Sequence, residues 1–233
     1  GRTKDNAVKC ANEHAIDTVF DSIDELLDDE SIEVLDLAVP PHKQLETIQA
    51  ACARGTAKGI LAQKPLGTNY AEAVAAVEAC EAAGIVLAVN QNMRYDQSVR
   101  AAKTLLKNGT IGEPVLATLD MRGIPHWKPW IKEQGWVTLR IMSIHHIDTF
   151  RYWFGNPERI FCSTRTDPRT DFPHTDGIAS YILEYENGLR VIAIDDTWTG
   201  PAREGAPADI GIQWRIEGLD GLAIGDIGWG HDP

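Results

Sequence analysis

Three stretches of the chain carry side chains suited to chemistry. The first is Gln63-Lys64-Pro65, which closes the apolar run Gly59-Ile60-Leu61-Ala62. A residue that precedes proline is pushed away from helix toward extended backbone, so Lys64 leaves the tip of a short strand with its amine pointing off the end. In an open α/β sheet, ligands bind in the crevice outside the carboxyl ends of the strands. An amine partly withdrawn from water there would titrate below its free value of about 10.4 and come within range of acid/base work. A solvated surface lysine is the competing reading. The second stretch is His145-His146. Adjacent residues on a helix point about 100° apart, so only one of the pair can face a given pocket. We assign that place to His145, nearest the preceding loop, against the alternative of a core histidine bonded to backbone. The third is Asn90-Gln91-Asn92-Met93-Arg94, a polar run directly after an apolar one. No i, i+4 histidine pair or His/Glu set is present, so no metal site is expected.

These residues need elements to hold them. Helical periodicity runs over Asn6–His14, and a β-like run, Thr18-Val19-Phe20, follows it. Asp21–Glu33 holds seven acids around Ile23, Leu26 and Leu27, which predicts a surface helix with a solvated acidic face. Ile32–Ala38 reads as a strand stopped by Val39-Pro40-Pro41, His42–Arg54 as a helix closed by Gly55, and Tyr70–Ala83 as a helix with Asn69 as N-cap and Gly84 past its end. Ile85–Val89 is a further strand. Strands separated by helices of this length imply right-handed crossovers and a parallel sheet, which would bring Pro40-Pro41, Gln63-Lys64-Pro65 and Asn90–Arg94 to one edge.

Composition changes after the basic helix Gln97–Lys107 and its closing Asn108-Gly109. Pro114–Arg122 reads as a strand, His126–Trp136 as a tryptophan-rich loop, and Ser143–Phe154 as a helix. Arg159–Thr164, Ile178–Tyr185, Leu189–Trp198 and Gln213–Glu217 read as strands, with a hairpin at Asn187-Gly188. Successive strands after a helix suggest an α+β domain with a largely antiparallel sheet. The expected division is a first domain over residues 1–95 and a second over 96–233. Asp148 reads as a structural acid, paired with Arg151 or a nearby cap, and the polar stretches Asp167–Asp171 and Pro173–Gly177 read as turns.

A net charge of −12 over 233 residues argues against nucleic acid and against anionic membranes as partners. No apolar run approaches the length of a membrane span. The four cysteines, Cys10, Cys52, Cys80 and Cys162, lack C-x-x-C spacing and read as small buried hydrophobes, which fits a cytoplasmic protein.

Six motifs in order, Val39-Pro40-Pro41-His42, Gln63-Lys64-Pro65-Leu66-Gly67, Asn90-Gln91-Asn92-Met93-Arg94, Gly109-Thr110-Ile111-Gly112-Glu113-Pro114, His145-His146-Ile147-Asp148 with Arg151–Gly155, and Tyr185-Glu186-Asn187-Gly188, resemble the Gfo/Idh/MocA family of NAD(P)-dependent sugar and inositol dehydrogenases. The resemblance implies an incomplete Rossmann-type parallel sheet followed by an α+β domain whose open sheet packs in a homodimer or tetramer. It implies NAD or NADP as cofactor and a small polyhydroxy compound as substrate. Lys64 and His145 then match the proton-handling residues, while Pro40, Pro41, Gln63, Lys64, Asn90 and Gln91 line the cofactor. Arg94, Trp130, Arg140, His146 and His174 are the candidate substrate contacts.

The chain departs from the family pattern at three places. The opening strand and Gly-rich phosphate turn are not in these residues, so a longer parent chain is expected. Gln63 stands where the family has glutamate. Ile141 stands where an aspartate precedes the histidine by four residues, with Ser143 in place of the intervening glycine. Two readings follow: a dehydrogenase in which Lys64 and His145 handle protons, and a catalytically silent relative that binds a ligand or partner. A relative that uses NAD transiently in glycoside cleavage is a third.

Overall fold

The computed structural model describes residues 3–123, 129–170, 172–197 and 210–228. It divides into two compact units, Gly1–Asn90 and Gln91–Pro233.

In the first unit, β1 (Val34–Leu37), β2 (Gly59–Ala62) and β3 (Val86–Val89) form a parallel sheet in that order. Its helices are α1 (Lys4–His14), α2 (Ile23–Leu27), α3 (Pro41–Arg54) and α4 (Tyr70–Ala83). Proline at the first position of α3 has the backbone angle a helix start requires, and Gly55 and Gly84 end α3 and α4 at φ 68° in the left-handed region. Asn69 caps α4 by accepting the Glu72 N–H at 3.0 Å, while the Glu72 carboxylate takes the Thr68 N–H at 2.7 Å. Leu35, Leu37, Ile60 and Ala62 share a buried cluster with Ile48, Ala51, Ala76 and Cys80 of α3 and α4. Side chains alternate across a strand, and so Val34 and Val86 are left exposed on the opposite face.

Two expectations fail here. Thr18–Phe20 joins neither sheet, and the acidic helix shrinks to Ile23–Leu27. Ser22 starts it by accepting the Glu25 N–H. Asp29 stops further winding by accepting both the N–H and the hydroxyl of Ser31, a local turn that competes with helix.

The second unit is a six-stranded sheet ordered β5-β6-β7-β4-β8-β9, from β4 (Pro114–Gly123), β5 (Arg159–Arg165), β6 (Ile178–Glu184), β7 (Arg190–Asp196), β8 (Ile210–Gly218) and β9 (Leu222–Ile227). All its pairings are antiparallel except β4 with β7. Strand β9 is not among the elements that the sequence patterns predict. Its Gly225 lets the Trp214 ring lie across it, since a Cβ there would stand 2.4 Å from the indole. Helices α5 (Gln97–Lys107), α6 (Pro129–Gln134) and α7 (Ile144–Phe154) complete the unit. Val99 and Ala102 of α5 and Phe150 and Trp153 of α7 share the core with Met121, Leu183, Val191, Trp214 and Ile216 of the sheet. Trp153 donates to the Val99 carbonyl at 3.0 Å and meets Trp214 edge to face at 5.2 Å. Edge strand β5 is exposed along its whole length.

Among the described residues no helix is long and apolar enough to cross a membrane. Cys10 and Cys162 are exposed, contrary to the expectation of four buried thiols: Cys10 lies on the outer face of α1 and Cys162 on the edge strand.

Phe150 is fully buried at the centre of the second core. Phe150→Ala is expected to lower stability by about 3–5 kcal/mol through lost burial and the cavity left behind, measured by denaturant unfolding.

Candidate active site

The parallel register places Leu37 beside Ala62 and Ala62 beside Val89, so the strand tips end at one level. Pro40-Pro41 begins α3 there, Gln63-Lys64-Pro65 follows β2, and the Asn90 N–H continues the ladder onto the Ala62 carbonyl at 2.8 Å. Tertiary packing thus brings Pro40, Pro41, Gln63, Lys64 and Asn90 to the same edge. Gln44, on the first turn of α3 and fully buried, clamps the lysine turn. Its side-chain amide donates to the Gln63 carbonyl at 2.9 Å and to the Pro65 carbonyl at 2.6 Å, on either side of Lys64. The Lys64-Pro65 peptide is cis. Desolvation lowers the Lys64 amine from its ordinary 10.5 to about 8. Gln44 gives no signal in the sequence, because a glutamine inside a helix carries no sign that its partners lie 19 and 21 residues away.

Gln91 opens the second unit, with its side-chain oxygen buried and without a hydrogen-bond partner among the described residues. A single 3-10 turn, Asn92–Tyr95, carries Arg94. Its guanidinium makes a two-pronged pair with Asp148 of α7 at 2.5 and 2.8 Å and lies 5.3 Å over the Tyr152 ring. Asp148 therefore holds Arg94, not Arg151, which donates instead to Asn156 at 2.8 Å.

Helix α7 is entered through a π-helical stretch, Leu139–Ser143. Two buried carboxylates hold this entrance. Asp176 accepts the backbone N–H groups of Val137 at 2.6 Å, Thr138 at 3.1 Å and Leu139 at 2.7 Å, donors that a helix start leaves unpaired. Asp195 of β7 accepts from the Ser143 hydroxyl, from Tyr181 at 3.1 Å and from His146 Nδ1 at 2.8 Å. Burial, reinforced by the Asp195 charge, pushes the Tyr181 phenol well above its ordinary range, so it stays protonated and donates. Ser143 and His146 bracket His145, which is itself buried on the first turn of α7.

The other candidate substrate contacts separate by environment. His146 is fully buried with its Nδ1 turned to Asp195, while its Nε2 is buried without a hydrogen-bond partner among the described residues. His174 is also buried. Its Nε2 accepts the Asp167 N–H at 2.9 Å and its Nδ1 lies 3.0 Å from the Phe172 carbonyl, which binds the imidazole into its own loop. Gly177 makes room for that ring, as a Cβ there would stand 2.3 Å from Nε2. Arg140, on the π-helical stretch, places its guanidinium 5.3 Å over Trp136. Trp130 belongs to α6, and its side chain lies outside the described residues. Among the described residues no cluster of three or more His, Cys, Asp or Glu is placed to hold a metal.

The strand-tip edge of the first unit brings together a desolvated amine and backbone carbonyls fixed by Gln44, groups whose chemistry fits contact with a dinucleotide. No Gly-x-Gly-x-x-Gly turn occurs in the 233 residues, so none of them is assigned to the pyrophosphate.

Comparison with known proteins agrees with the fold. Residues 1–91 match the model of an oxidoreductase family with an NAD-binding Rossmann fold, and residues 99–224 match the GFO/IDH/MocA C-terminal domain. D-apiose dehydrogenase of Paraburkholderia graminis is 26% identical over 201 residues, covering 84% of this chain and 51% of that protein. Myo-inositol 2-dehydrogenase of Thermotoga maritima is 29% identical over 139 residues, covering 59% of this chain and 41% of that protein. A levoglucosan dehydrogenase solved with NADH and levoglucosan superposes with a TM-score of 0.82 at 22% identity, over 97% of this chain and 63% of that one. The chain thus spans about half the length of the curated relatives it matches.

The depressed Lys64 pKa has a consequence for stability. Between about 8 and 10.5 the unfolded chain holds this proton and the folded chain does not, so stability rises with pH across that window. Below about 8 the folded protein carries the full cost of the buried charge, about 3 kcal/mol at most. Lys64→Met is expected to be more stable than the parent at pH 7, and the part of that advantage due to charge should vanish by pH 10.5. Paired denaturation curves across this range measure it.

Proposed function

From the premise that this chain belongs to the GFO/IDH/MocA oxidoreductase family, we propose that it serves an NAD(P)-dependent dehydrogenase acting on a hydroxyl of a sugar, inositol or sugar acid. The observation that carries this reading is the Lys64 amine, partly buried at the tip of β2 and lowered to about 8. A neutral amine at a strand tip can take the proton of a substrate hydroxyl. The names of the relatives, apiose and inositol dehydrogenases, support the substrate class.

When bound, the nicotinamide supplies the hydride chemistry. The chain's own residues then orient the substrate and move its proton. Lys64 accepts the hydroxyl proton, on a backbone that Gln44 prevents from shifting. In the second unit His145 is the candidate for positioning a substrate hydroxyl, and the pairing of Ser143 and His146 with Asp195 keeps its helical turn in one place. Pro40, Pro41, Gln63, Asn90 and Gln91 form the cofactor-facing surface. Ile141 offers no proton relay, so the lysine takes the proton alone. Arg140 and the remaining donors of Arg94 are suited to a carboxylate or hydroxyl of the substrate. The free thiols and the acidic surface suit the cytoplasm.

The test is hydride transfer from a panel of polyols, sugars and sugar acids to NAD and NADP by the full-length protein, followed at the reduced-nicotinamide absorbance. Turnover should rise as pH passes through about 8, and Lys64→Met should lower kcat by about 100-fold or more. Absence of turnover across the panel, or an unchanged rate in Lys64→Met, rejects the reading. Ile141, in place of an acid, favours a second reading: a relative that binds without turning over. NADH binding with no reaction on any substrate would select it.

The uncovered face of the second sheet is suited to self-association. One row runs Phe161, Ile182, Ile192, Thr118, Arg215, Ile224 across all six strands, and Phe161, Ile182 and Ile192 are exposed. Apolar side chains in register on an open sheet favour a second copy of the chain as cover. Ile182→Lys with Ile192→Lys should convert an oligomer to monomer in sedimentation velocity; a wild-type monomer would reject the interface.

A further inference from the structure

Helices α3 and α4 cover the same face of the first sheet, and each places a cysteine in its last two turns. The Cys52 and Cys80 sulfurs lie 3.8 Å apart, 28 residues from one another in the chain. A disulfide bond is about 2.05 Å long, so less than about 2 Å separates the contact from a covalent link. Both cysteines stand within one turn of a helix end, where Gly55 and Gly84 take the left-handed conformation. Backbone at such an end can adjust by the small amount required without breaking the interior of either helix. Cys52 is partly exposed and Cys80 is buried. Of the two, Cys52 is therefore the one nearer to reagents in solvent, with Cys80 as its neighbour.

We infer that Cys52 and Cys80 form a reversible oxidation site, in which a peroxide joins α3 to α4 through a disulfide. The Cys52 thiol gives up its proton and attacks a peroxide oxygen, and the departing hydroxide takes that proton. The O–O bond breaks, water leaves, and Cys52 becomes a sulfenic acid. The Cys80 sulfur then attacks that sulfenic sulfur, the S–O bond breaks, and the departing hydroxide takes the Cys80 proton as a second water. In sum, two thiols and one hydrogen peroxide give one disulfide and two waters, with the sulfurs losing two electrons and the peroxide gaining them. Burial pushes the Cys80 thiol up to about 12, reinforced by Cys52, so it stays protonated and leaves the first attack to Cys52. The exposed Cys10 and Cys162 have no such neighbour among the described residues.

The link would close a loop containing β2 and the Lys64 turn, and tie the two helices that flank them. Its formation does not depend on the proposed enzymatic function.

Treatment of the protein with equimolar hydrogen peroxide, followed by alkylation and non-reducing tryptic mapping, tests the site. Cleavage after Lys43, Arg54, Lys58 and Arg94 puts Cys52 alone in the peptide 44–54 and Cys80 alone in 59–94, the Lys64-Pro65 bond being resistant. The expected product is these two peptides joined, separated again by dithiothreitol, with the oxidised protein melting about 5–10 °C higher. Cys52→Ser should leave Cys80 unmodified at the same peroxide dose, and Cys80→Ser should let Cys52 proceed to sulfinic acid. Sulfinic acid on Cys52 of the parent protein, or links involving Cys10 or Cys162 in its place, overturns the inference. The parent protein alone decides between these results, so a variant that fails to fold leaves the test standing.

Discussion

The second unit depends on two carboxylates buried without a lysine or arginine against them among the described residues. Asp176 and Asp195 are fully buried, and a carboxylate in that position is tolerated only where hydrogen-bond donors replace the water it has lost. Asp176 finds them in three successive backbone N–H groups at the entrance to α7, and Asp195 in Ser143, His146 and Tyr181. Moving the entrance of α7 would strip donors from both at once. That cost opposes displacement of the π-helical stretch and of the turn that carries His145. The fully engaged network is stiff because a partly engaged one would be strongly unfavourable.

The first unit solves a related problem with a neutral group. The strand-tip backbone around Lys64 must turn sharply while its carbonyls lie against packed helices, and Gln44 supplies both missing donors from inside α3. The lysine amine is left with less water than it needs for its charge, which accounts for the direction of its pKa. A rigid backbone with a destabilised side-chain charge is a common arrangement at sites that move protons. Helix α3, which holds this turn through Gln44, also brings Cys52 against Cys80 of α4, so its packing bears on both the turn and the thiol pair.

Local signals identify most elements. Tyr70–Ala83 and Gln97–Lys107 have the boundaries that Asn69, Gly84 and the closing Asn108-Gly109 imply. Elements that depend on distant partners are less visible. Thr18–Phe20 has strand-forming residues and pairs with no strand among the described residues, while β9 contains Gly225 between the flanking Gly221 and Gly228 and becomes a strand because β8 offers a free edge. The acids of Asp21–Glu33 are legible as a charged surface, but not the Asp29–Ser31 turn that shortens the helix.

By itself the sequence determined the alternation of strands and helices in the first half, the switch to successive strands in the second, and the placing of Lys64 at a strand end and His145 on a helix's first turn. Those features follow from spacing, proline and glycine, and they act within a few residues. Only the tertiary structure decided which polar groups are spent on the fold. Arg94 goes to Asp148 across 54 residues, His146 to Asp195 across 49, and Val137 to Asp176 across 39. Each pairing exists because burial removes water from a group that must then find another partner, and which partner is near is set by packing that no local pattern encodes.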